Sequence, residues 1–205
     1  MFTGIVQAKV MVSFVEHTPK FTRYALQFTD DLLTNLKIGA SVSINGVCQT
    51  VVAIEEQAVY FEAIAETLRC TTIPTFATGS LVNIERSAKF GDEIGGHLLS
   101  GHVIGTATIS HITATSAGEH ILTFSCNPDW MKYILYKGYI AINGASLTVQ
   151  SVDPRGEFSV HLIPETLRIT TFDTAQEGHL VNIEIDTQTQ AIVDTVERVL
   201  ASREI

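Results

Sequence analysis

The chain has little of what would direct it to a membrane or to a nucleic acid. Charged residues make up only 17% of its 205 residues, and 22 acidic against 13 basic side chains give a formal net charge of −9. Because phosphate backbones attract an excess of positive charge, this balance argues against nucleic acid as a partner. The apolar runs have the length of β-strands, far short of the roughly 20 residues that span a bilayer, so no membrane partner is expected.

Cysteine is also scarce. Its three copies, Cys48, Cys70 and Cys126, are an odd number without paired spacing, which is typical of reduced thiols rather than of a disulfide framework. No group of cysteines and histidines has the spacing of a zinc site. The first ten residues carry no basic region, no long apolar segment and no cleavage site, so we expect a cytoplasmic protein.

The strongest positive signal is an internal repeat. Four blocks return in the same order: "TGIV" at 3–6 as "SGHV" at 100–103, "INGVCQTV" at 44–51 as "INGASLTV" at 142–149, "ETLRCTT" at 66–72 as "ETLRITT" at 165–171, and "GSLVNIE" at 79–85 as "GHLVNIE" at 178–184. A period of about a hundred residues is the size of a small domain and too long for a solenoid repeat. We therefore predict two copies of one fold at 1–97 and 98–186, and a tail at 187–205.

Within each copy the pattern is β. Short runs of β-branched and aromatic residues end at turn residues, and the Asn-Gly pairs at 45–46 and 143–144 are typical of tight hairpins. One helix is predicted in each copy, at 29–39 and at 127–138, the second with Asn127 as its capping residue. Because closing a sheet removes its exposed edges, many short strands favour barrels. The predicted fold class is all-β: two tandem homologous six-stranded Greek-key barrels plus a C-terminal α-helix.

The tail has no copy in the first half. Apolar residues recur there at helical spacing: Ile192, Val196, Val199 and Leu200. This pattern predicts an amphipathic helix. Two roles stay open, namely packing on its own barrel and association with the same helix of other subunits.

Positions that differ between the copies are candidates for a division of labour. Three differences involve chemically capable groups: Cys48 against Ser146, Ile5 against His102, and Ser87 against Asp186. Spacing alone favours a small packed thiol for Cys48 and a hydrogen-bonded structural histidine for His102. These residues by themselves indicate a duplicated barrel with two similar binding pockets.

Six blocks in the right order resemble the alpha-type riboflavin synthases. The blocks are "MFTGIV" at 1–6, "NGVCQTV" at 45–51, "KFGDEIGGHLLSGHV" at 89–103, "MKYILYKG" at 131–138, "LIPETLR" at 162–168 and "VNIEIDTQTQAIVDTVERVL" at 181–200. The resemblance implies transfer of a four-carbon unit between two molecules of 6,7-dimethyl-8-ribityllumazine, which yields riboflavin and 5-amino-6-ribitylamino-uracil without metal or organic cofactor. It also implies a homotrimer whose active site lies between the first barrel of one chain and the second barrel of a neighbour.

The resemblance further implies which residues form the site. Catalytic groups would be Cys48 and Ser41 in the first barrel and His102, Asn143, Ser146 and Asp186 in the second. Lumazine contacts in the first copy would be Gly4, Ile5, Val6, Cys48, Gln49, Thr50, Glu62, Ala63, Ile64, Ala65, Glu66 and Thr67. Those of the second copy would be Gly101, His102, Val103, Ser146, Leu147, Thr148, His161, Leu162, Ile163, Pro164, Glu165 and Thr166, with Lys137 reaching across from the partner chain.

Three residues depart from the family pattern. Asn143 stands where aspartate is expected, Gln49 where leucine is usual, and Ala65 where lysine or proline is usual. Asn143 bears most on the chemistry, because an amide cannot act as a base, although it serves equally well in a tight turn. Two alternatives therefore stay open: a non-catalytic lumazine- or flavin-binding antenna protein, and a general interaction module without affinity for pteridines. The presence of Cys48 and of the tail favours the enzyme.

Overall fold

The computed structural model describes residues 1–18, 20–114 and 120–202. These residues form two closed antiparallel barrels. The first consists of β1 (Ala8–His17), β2 (Phe21–Gln27), β3 (Ser41–Ile44), β4 (Val47–Glu55), β5 (Ala58–Ile64) and β6 (Leu81–Arg86). The second consists of β7 (Gly105–Ala114), β8 (His120–Ser125), β9 (Tyr139–Ile142), β10 (Ala145–Asp153), β11 (Glu157–Leu162) and β12 (Leu180–Ile185).

The two barrels have the same topology. The strand order is β1-β2-β5-β4-β3-β6 in the first barrel, and the second, read around the circle, repeats it with the equivalent strands β7 to β12. The predicted pair of six-stranded barrels is therefore confirmed. Each barrel encloses its own apolar core, which includes Tyr24 and Phe61 in the first barrel and Phe124 and Phe158 in the second.

The helices differ from the sequence prediction. The helix predicted at 29–39 is only α1 (Asp30–Leu33), and the one predicted at 127–138 is a 3₁₀ helix at Pro128–Tyr133. The Asn127 cap is confirmed, since its side chain accepts a hydrogen bond from the backbone N–H of Asp129. The segment does not stay helical up to Gly138, because the backbone is already extended at Ile134, with φ −98° and ψ 97°.

Two further helical segments follow β5 and β11, so the prediction of one helix per copy was wrong. They are α2 (Ala65–Cys70) with a 3₁₀ turn at Ile73–Thr75, and α3 (Pro164–Ile169) with a 3₁₀ turn at Thr171–Thr174. Each is shorter than two turns, and segments of that length show no helical periodicity in the sequence.

The two Asn-Gly hairpins meet at the boundary between the barrels. Both residues of each pair have positive φ, at 45° and 82° for Asn45 and Gly46 and at 45° and 80° for Asn143 and Gly144, as a type I′ turn requires. A Cβ atom on Gly46 would lie 2.8 Å from the backbone nitrogen of Gly144, and the reverse holds for Gly144. Glycine is therefore needed here both for the turn and for the close approach.

Buried amides join the barrels beside these turns. Asn83 Nδ2 donates to the carbonyl of Asn143 at 3.0 Å, and the equivalent Asn182 Nδ2 donates to the carbonyl of Asn45 at 2.8 Å. Each interaction has its counterpart in the other copy, so the barrels are related by an approximate two-fold axis. We call this set of contacts the amide seam.

The tail forms α4 (Thr187–Ala201), as the apolar spacing predicted. Asp186 caps its N-terminus, and Tyr133 and Lys132 of the 3₁₀ helix contact Asp194 and Glu197 on one side of it. The four apolar residues of its stripe are 43–65% exposed. Within the described ranges, no helix combines the length and apolar character needed to cross a membrane.

Replacing Gly46 with alanine should destabilise the protein by two separate effects. The positive φ costs about 1–2 kcal/mol, and the clash with Gly144 adds roughly 1–3 kcal/mol. Gly39 is a matched control, since it has a φ of 88° and no described heavy atom lies within 4 Å of a Cβ built on it. In urea unfolding, Gly39→Ala should lower the free energy of unfolding only by the conformational cost of the positive φ, about 1–2 kcal/mol. An equal loss of unfolding free energy in Gly46→Ala and Gly39→Ala would contradict the close approach of Gly46 to Gly144.

Candidate active site

Two extended segments cross between the barrels before they enter them. Residues 2–6 precede β1 and residues 99–103 precede β7, and the two segments pair where Phe2 and Leu99 exchange backbone hydrogen bonds of 2.8 and 2.9 Å. Beyond this pairing, the Gly4 carbonyl accepts from the N–H of Ser146 at 2.8 Å, and the Gly101 carbonyl accepts from the N–H of Cys48 at 2.9 Å. Each segment thus lies along a strand of the barrel that it does not lead into.

This exchange corrects the grouping predicted from the repeat. Gly4–Val6 were assigned to the first barrel together with Cys48, and Gly101–Val103 to the second. The structure places Val6 in the core of the second barrel and packs Val103 against the core of the first. His102 therefore shares a surface with Cys48, not with Ser146. The repeat could not reveal the exchange, because both pairings match equivalent residues.

Two buried glutamates hold the crossing segments. Glu85 accepts hydrogen bonds from the N–H and Oγ1 of Thr3, at 2.6 and 2.8 Å, and from the N–H of Gly4. Glu184 does the same for Ser100 and Gly101 in the other copy. Burial raises the pKa of each carboxyl group, although these hydrogen bonds act in the opposite direction. Neither glutamate was predicted from the sequence as part of the site. The signal that could have indicated them is the acidic residue at the end of each "LVNIE" block.

The first-barrel surface is the outer face of β3, β4 and β5 around Cys48. Ser41 lies opposite Thr50 in the β3–β4 ladder, and Cys48 and Thr50 point outward because side chains alternate along β4. The segment Glu62–Thr67 ends β5 and begins α2 beside β4. The crossing segment that carries His102 completes this surface.

The second-barrel surface is the equivalent face of β9, β10 and β11 around Ser146. Ser146 and Thr148 point outward on β10, and Thr148 lies opposite Tyr139 on β9. The segment His161–Thr166 ends β11 and begins α3 beside β10. Gly4–Val6 complete this surface from the first half of the chain.

Lys137 and Asp186 lie farther from these strands. The Lys137 ammonium is exposed and donates to the Gln150 side chain of its own chain at 2.5 Å. Asp186 accepts from the N–H and hydroxyl of Thr189 as the cap of α4. Burial raises the pKa of Asp186, but the hydrogen bonds from Thr189 and the charge of His97 outweigh it, so the net pKa is below its usual value.

Five predicted contact residues have buried side chains that pack inside the barrels: Val6, Gln49, Ala63, Leu147 and Leu162. Gln49, the departure from leucine, accepts from the Tyr24 hydroxyl at 3.3 Å and donates to the Cys48 carbonyl at 3.0 Å. Burial raises the pKa of Tyr24 well above its usual value, so the hydroxyl stays a donor. These five residues can reach an outer ligand only through their backbone atoms.

Asn143 has a structural role in the turn, and its role as a catalytic group stays a prediction. Its Oδ1 accepts from the N–H of Asn182 at 2.8 Å, and its carbonyl accepts from Asn83 in the amide seam. Asn45 makes the same bonds in the first copy. A carboxylate could accept the same N–H, so the change from aspartate is tolerated here.

Two other residues beside the site were missed. Phe2 is fully buried where the crossing segments pair, and His97 lies with its Nδ1 2.6 Å from the Ser146 hydroxyl. Phe2 lies in the block at 1–6 and His97 in the block at 89–103. Both blocks indicated the family but not a role for these two residues. The only sequence signal for His97 was its position in the segment between the two repeats.

The described residues form two cavities. One of about 870 Å³ borders Ile5 and Ser87, and one of about 650 Å³ lies between the barrels next to the amide seam. In the described part of the chain, Cys48 and Ser146 line neither cavity. Both are partly buried beside the crossing segments, and Cys48 packs against Phe2, Leu99 and Ala141. The described residues include no group of three or more His, Cys, Asp or Glu placed to hold a metal ion.

Removing the buried Gln49 amide should destabilise the first barrel without affecting its outer face. Gln49→Leu leaves the Tyr24 hydroxyl without its acceptor and should cost about 1–3 kcal/mol in urea unfolding. Adding Tyr24→Phe should recover most of that loss. A double variant as unstable as Gln49→Leu would contradict the hydrogen bond between Gln49 and Tyr24.

Known proteins match the chain along its whole length. Residues 3–87 and 100–186 each match the family model of the lumazine binding domain. The chain is 50% identical over 204 residues to riboflavin synthase of Escherichia coli (strain K12), covering 100% of this chain and 95% of that protein. It is 45% identical over 202 residues to riboflavin synthase of Chlamydia pneumoniae, covering 98% of each.

Solved structures share the fold. LumP complexed with riboflavin has a TM-score of 0.83 and 29% identity, covering 91% of this chain and 100% of that one. LumP complexed with 6,7-dimethyl-8-(1'-D-ribityl) lumazine has a TM-score of 0.80 and 27% identity, covering 90% of this chain and 98% of that one. With two matched lumazine binding domains and full-length identity of up to 50% to these enzymes, the chain belongs to the riboflavin synthase family.

Proposed function

We propose that the protein converts two molecules of 6,7-dimethyl-8-ribityllumazine into riboflavin and 5-amino-6-ribitylamino-uracil by moving a four-carbon unit from one to the other. The observation that carries this proposal is the pair of equivalent outer surfaces at Cys48 and Ser146, each completed by a crossing segment. A reaction between two identical molecules requires two similar pockets. Holding both molecules in register can contribute about 7–11 kcal/mol to lowering the barrier.

The two surfaces offer different chemistry. The first presents the Cys48 thiol, the hydroxyls of Ser41 and Thr50, and the exposed His102. The second presents the hydroxyls of Ser146 and Thr148. The reaction removes a proton from the 7-methyl group of one lumazine and adds a nucleophile to the ring of the other, so unlike groups on like surfaces suit the unlike roles.

We further propose that the site is completed in a homotrimer, between the first barrel of one chain and the second barrel of a neighbour. This is supported by the exposed apolar stripe of α4, which is the kind of surface that subunit association buries. The exposed Lys137 would then reach the lumazine of a neighbouring chain. The three free cysteines fit a cytoplasmic location.

The antenna alternative has weaker support. The identity to LumP is 29%, against 50% to the E. coli synthase, and the chain keeps both the outward Cys48 and α4. Saturable binding of lumazine without the appearance of flavin absorbance would favour the antenna alternative.

Replacing Cys48 with serine should lower turnover more than binding. We expect riboflavin formation at saturating lumazine, followed by flavin absorbance, to fall by at least about tenfold, while the dissociation constant changes little. The reason is that the thiol faces the reacting molecule but contributes little contact area. Cys126→Ser is the control, because Cys126 contacts Met131 away from both surfaces. Equal losses in turnover and affinity would make Cys48 a packing residue.

Removing the residues after Asp186 should convert a particle of three 22.4-kDa chains into single chains, measured by light scattering. In the full chain, Val196→Glu places a charge on the apolar stripe and should have the same effect. Gln190→Glu adds the same charge on another side of α4 and should leave the trimer intact. An unchanged mass after truncation would show that α4 packs on its own barrel.

A further inference from the structure

The two Asn-Gly turns present a matched pair of free amide donors. Asn45 Oδ1 accepts from the N–H of Asn83 at 2.7 Å, and Asn143 Oδ1 accepts from the N–H of Asn182 at 2.8 Å. These bonds fix which side of each carboxamide carries the NH₂ group. Neither Nδ2 has a hydrogen-bond partner among the described residues, although each asparagine is only 7% exposed. Because a buried donor without an acceptor is unfavourable, both amides gain from an acceptor that a ligand supplies.

Both asparagines border the cavity of about 650 Å³ between the barrels, which we call the seam cavity. Its lining repeats across the approximate two-fold axis, with Thr75 and Leu81 of the first copy matched by Thr174 and Leu180 of the second. Small-molecule pockets have volumes of roughly 300–1,000 Å³, so the seam cavity has a typical size. A ligand in it would contact both barrels at once.

The lining of the seam cavity favours an uncharged, flat ligand. The described residues that border it include no Lys, Arg, Asp or Glu, so a charged ligand would lose its hydration without gaining a counter-charge. Buried Phe76 and Phe172 contribute apolar wall, which suits the face of a ring. The Thr75 and Thr174 hydroxyls each donate to a backbone carbonyl, which leaves their oxygen atoms free to accept an N–H.

The seam cavity is separate from the two outer surfaces. In the described part of the chain, neither Cys48 nor Ser146 borders it, and no residue of the crossing segments at 2–6 and 99–103 does so. A ligand bound there would therefore leave both outer surfaces accessible.

We propose that the seam cavity binds an uncharged pyrimidinedione or other cyclic imide, a ring in which two carbonyl groups flank one N–H. The Nδ2 groups of Asn45 and Asn143 donate to the two carbonyl oxygens, and a threonine hydroxyl beside them accepts from the ring N–H. The symmetry of the two donors matches the symmetric placement of the two carbonyls. This inference goes beyond the proposed function and does not depend on it, although the lumazine and both products of that reaction belong to this chemical class.

Uracil is a small probe of this class, and NMR of the isotope-labelled full chain reports its binding locally. Titration with uracil should shift the side-chain amide signals of Asn45 and Asn143 saturably. The two signals are identified by their disappearance in Asn45→Asp and Asn143→Asp. The amide of Asn127, which caps the 3₁₀ helix and does not border the seam cavity, should stay unshifted. If millimolar uracil leaves the signals of Asn45 and Asn143 in place, the proposal is wrong.

Exchanging one donor for a carboxylate should weaken this binding. Asn143→Asp keeps the acceptor for the N–H of Asn182 but turns an oxygen, instead of an NH₂ group, toward the ligand carbonyl. We expect the dissociation constant of uracil, followed through the Asn45 signal, to rise at least about tenfold. Asn45→Asp should have a similar effect on binding followed through the Asn143 signal. Asn127→Asp introduces the same charge away from the seam cavity, keeps a capping side chain, and should leave the affinity unchanged.

Should an aspartate variant fail to fold, a second probe tests the proposal on the unmodified protein. In 2,4-diaminopyrimidine, amino groups replace both carbonyls, so it should leave the signals of Asn45 and Asn143 unshifted. Shifts as large as those with uracil, or an undiminished uracil affinity in either aspartate variant, would overturn the proposal. Riboflavin formation by a protein whose two amide signals do not respond to uracil would overturn this inference alone. Saturable shifts in a protein that forms no riboflavin would support it and contradict the proposed function.

Discussion

The crossing of two extended segments between the barrels is the constraint on which both candidate surfaces depend. Phe2 and Leu99 pair at the crossing, and buried Glu85 and Glu184 accept the backbone N–H groups beside it. Unpaired, these N–H groups would each cost about 1–3 kcal/mol in the protein interior. Because each candidate surface contains residues from both halves of the chain, neither barrel can form its complete surface alone.

The amide seam gives the two barrels a fixed mutual position that an apolar contact would not specify. Asn83 and Asn182 each donate a side-chain hydrogen bond to a hairpin carbonyl of the other barrel, and the hairpin glycines leave no room for a methyl group between them. Hydrogen bonds and close packing both depend steeply on geometry. The two candidate surfaces are consequently presented as a symmetric pair.

The symmetry of the two candidate surfaces is broken at a few positions. The duplicated scaffold supplies equivalent surfaces, and the differences lie in a few side chains: a thiol on one and a hydroxyl backed by an imidazole on the other. The exchange also moves His102 to the thiol side, which the repeat alone assigned to the hydroxyl side. Two identical substrates that must act as donor and acceptor need such a difference.

The sequence by itself determined the duplication, the strand character of both copies, the Asn-Gly turns, the Asn127 cap and the amphipathic tail, because these depend on neighbours along the chain or are written twice. Family resemblance supplied the outward residues Cys48 and Ser146. Only the tertiary structure decided which crossing segment serves which barrel, that Gln49 points inward to Tyr24, and that His97 meets Ser146. The last two contacts join residues 25 and 49 positions apart, and no local pattern in the chain specifies a contact over such a separation.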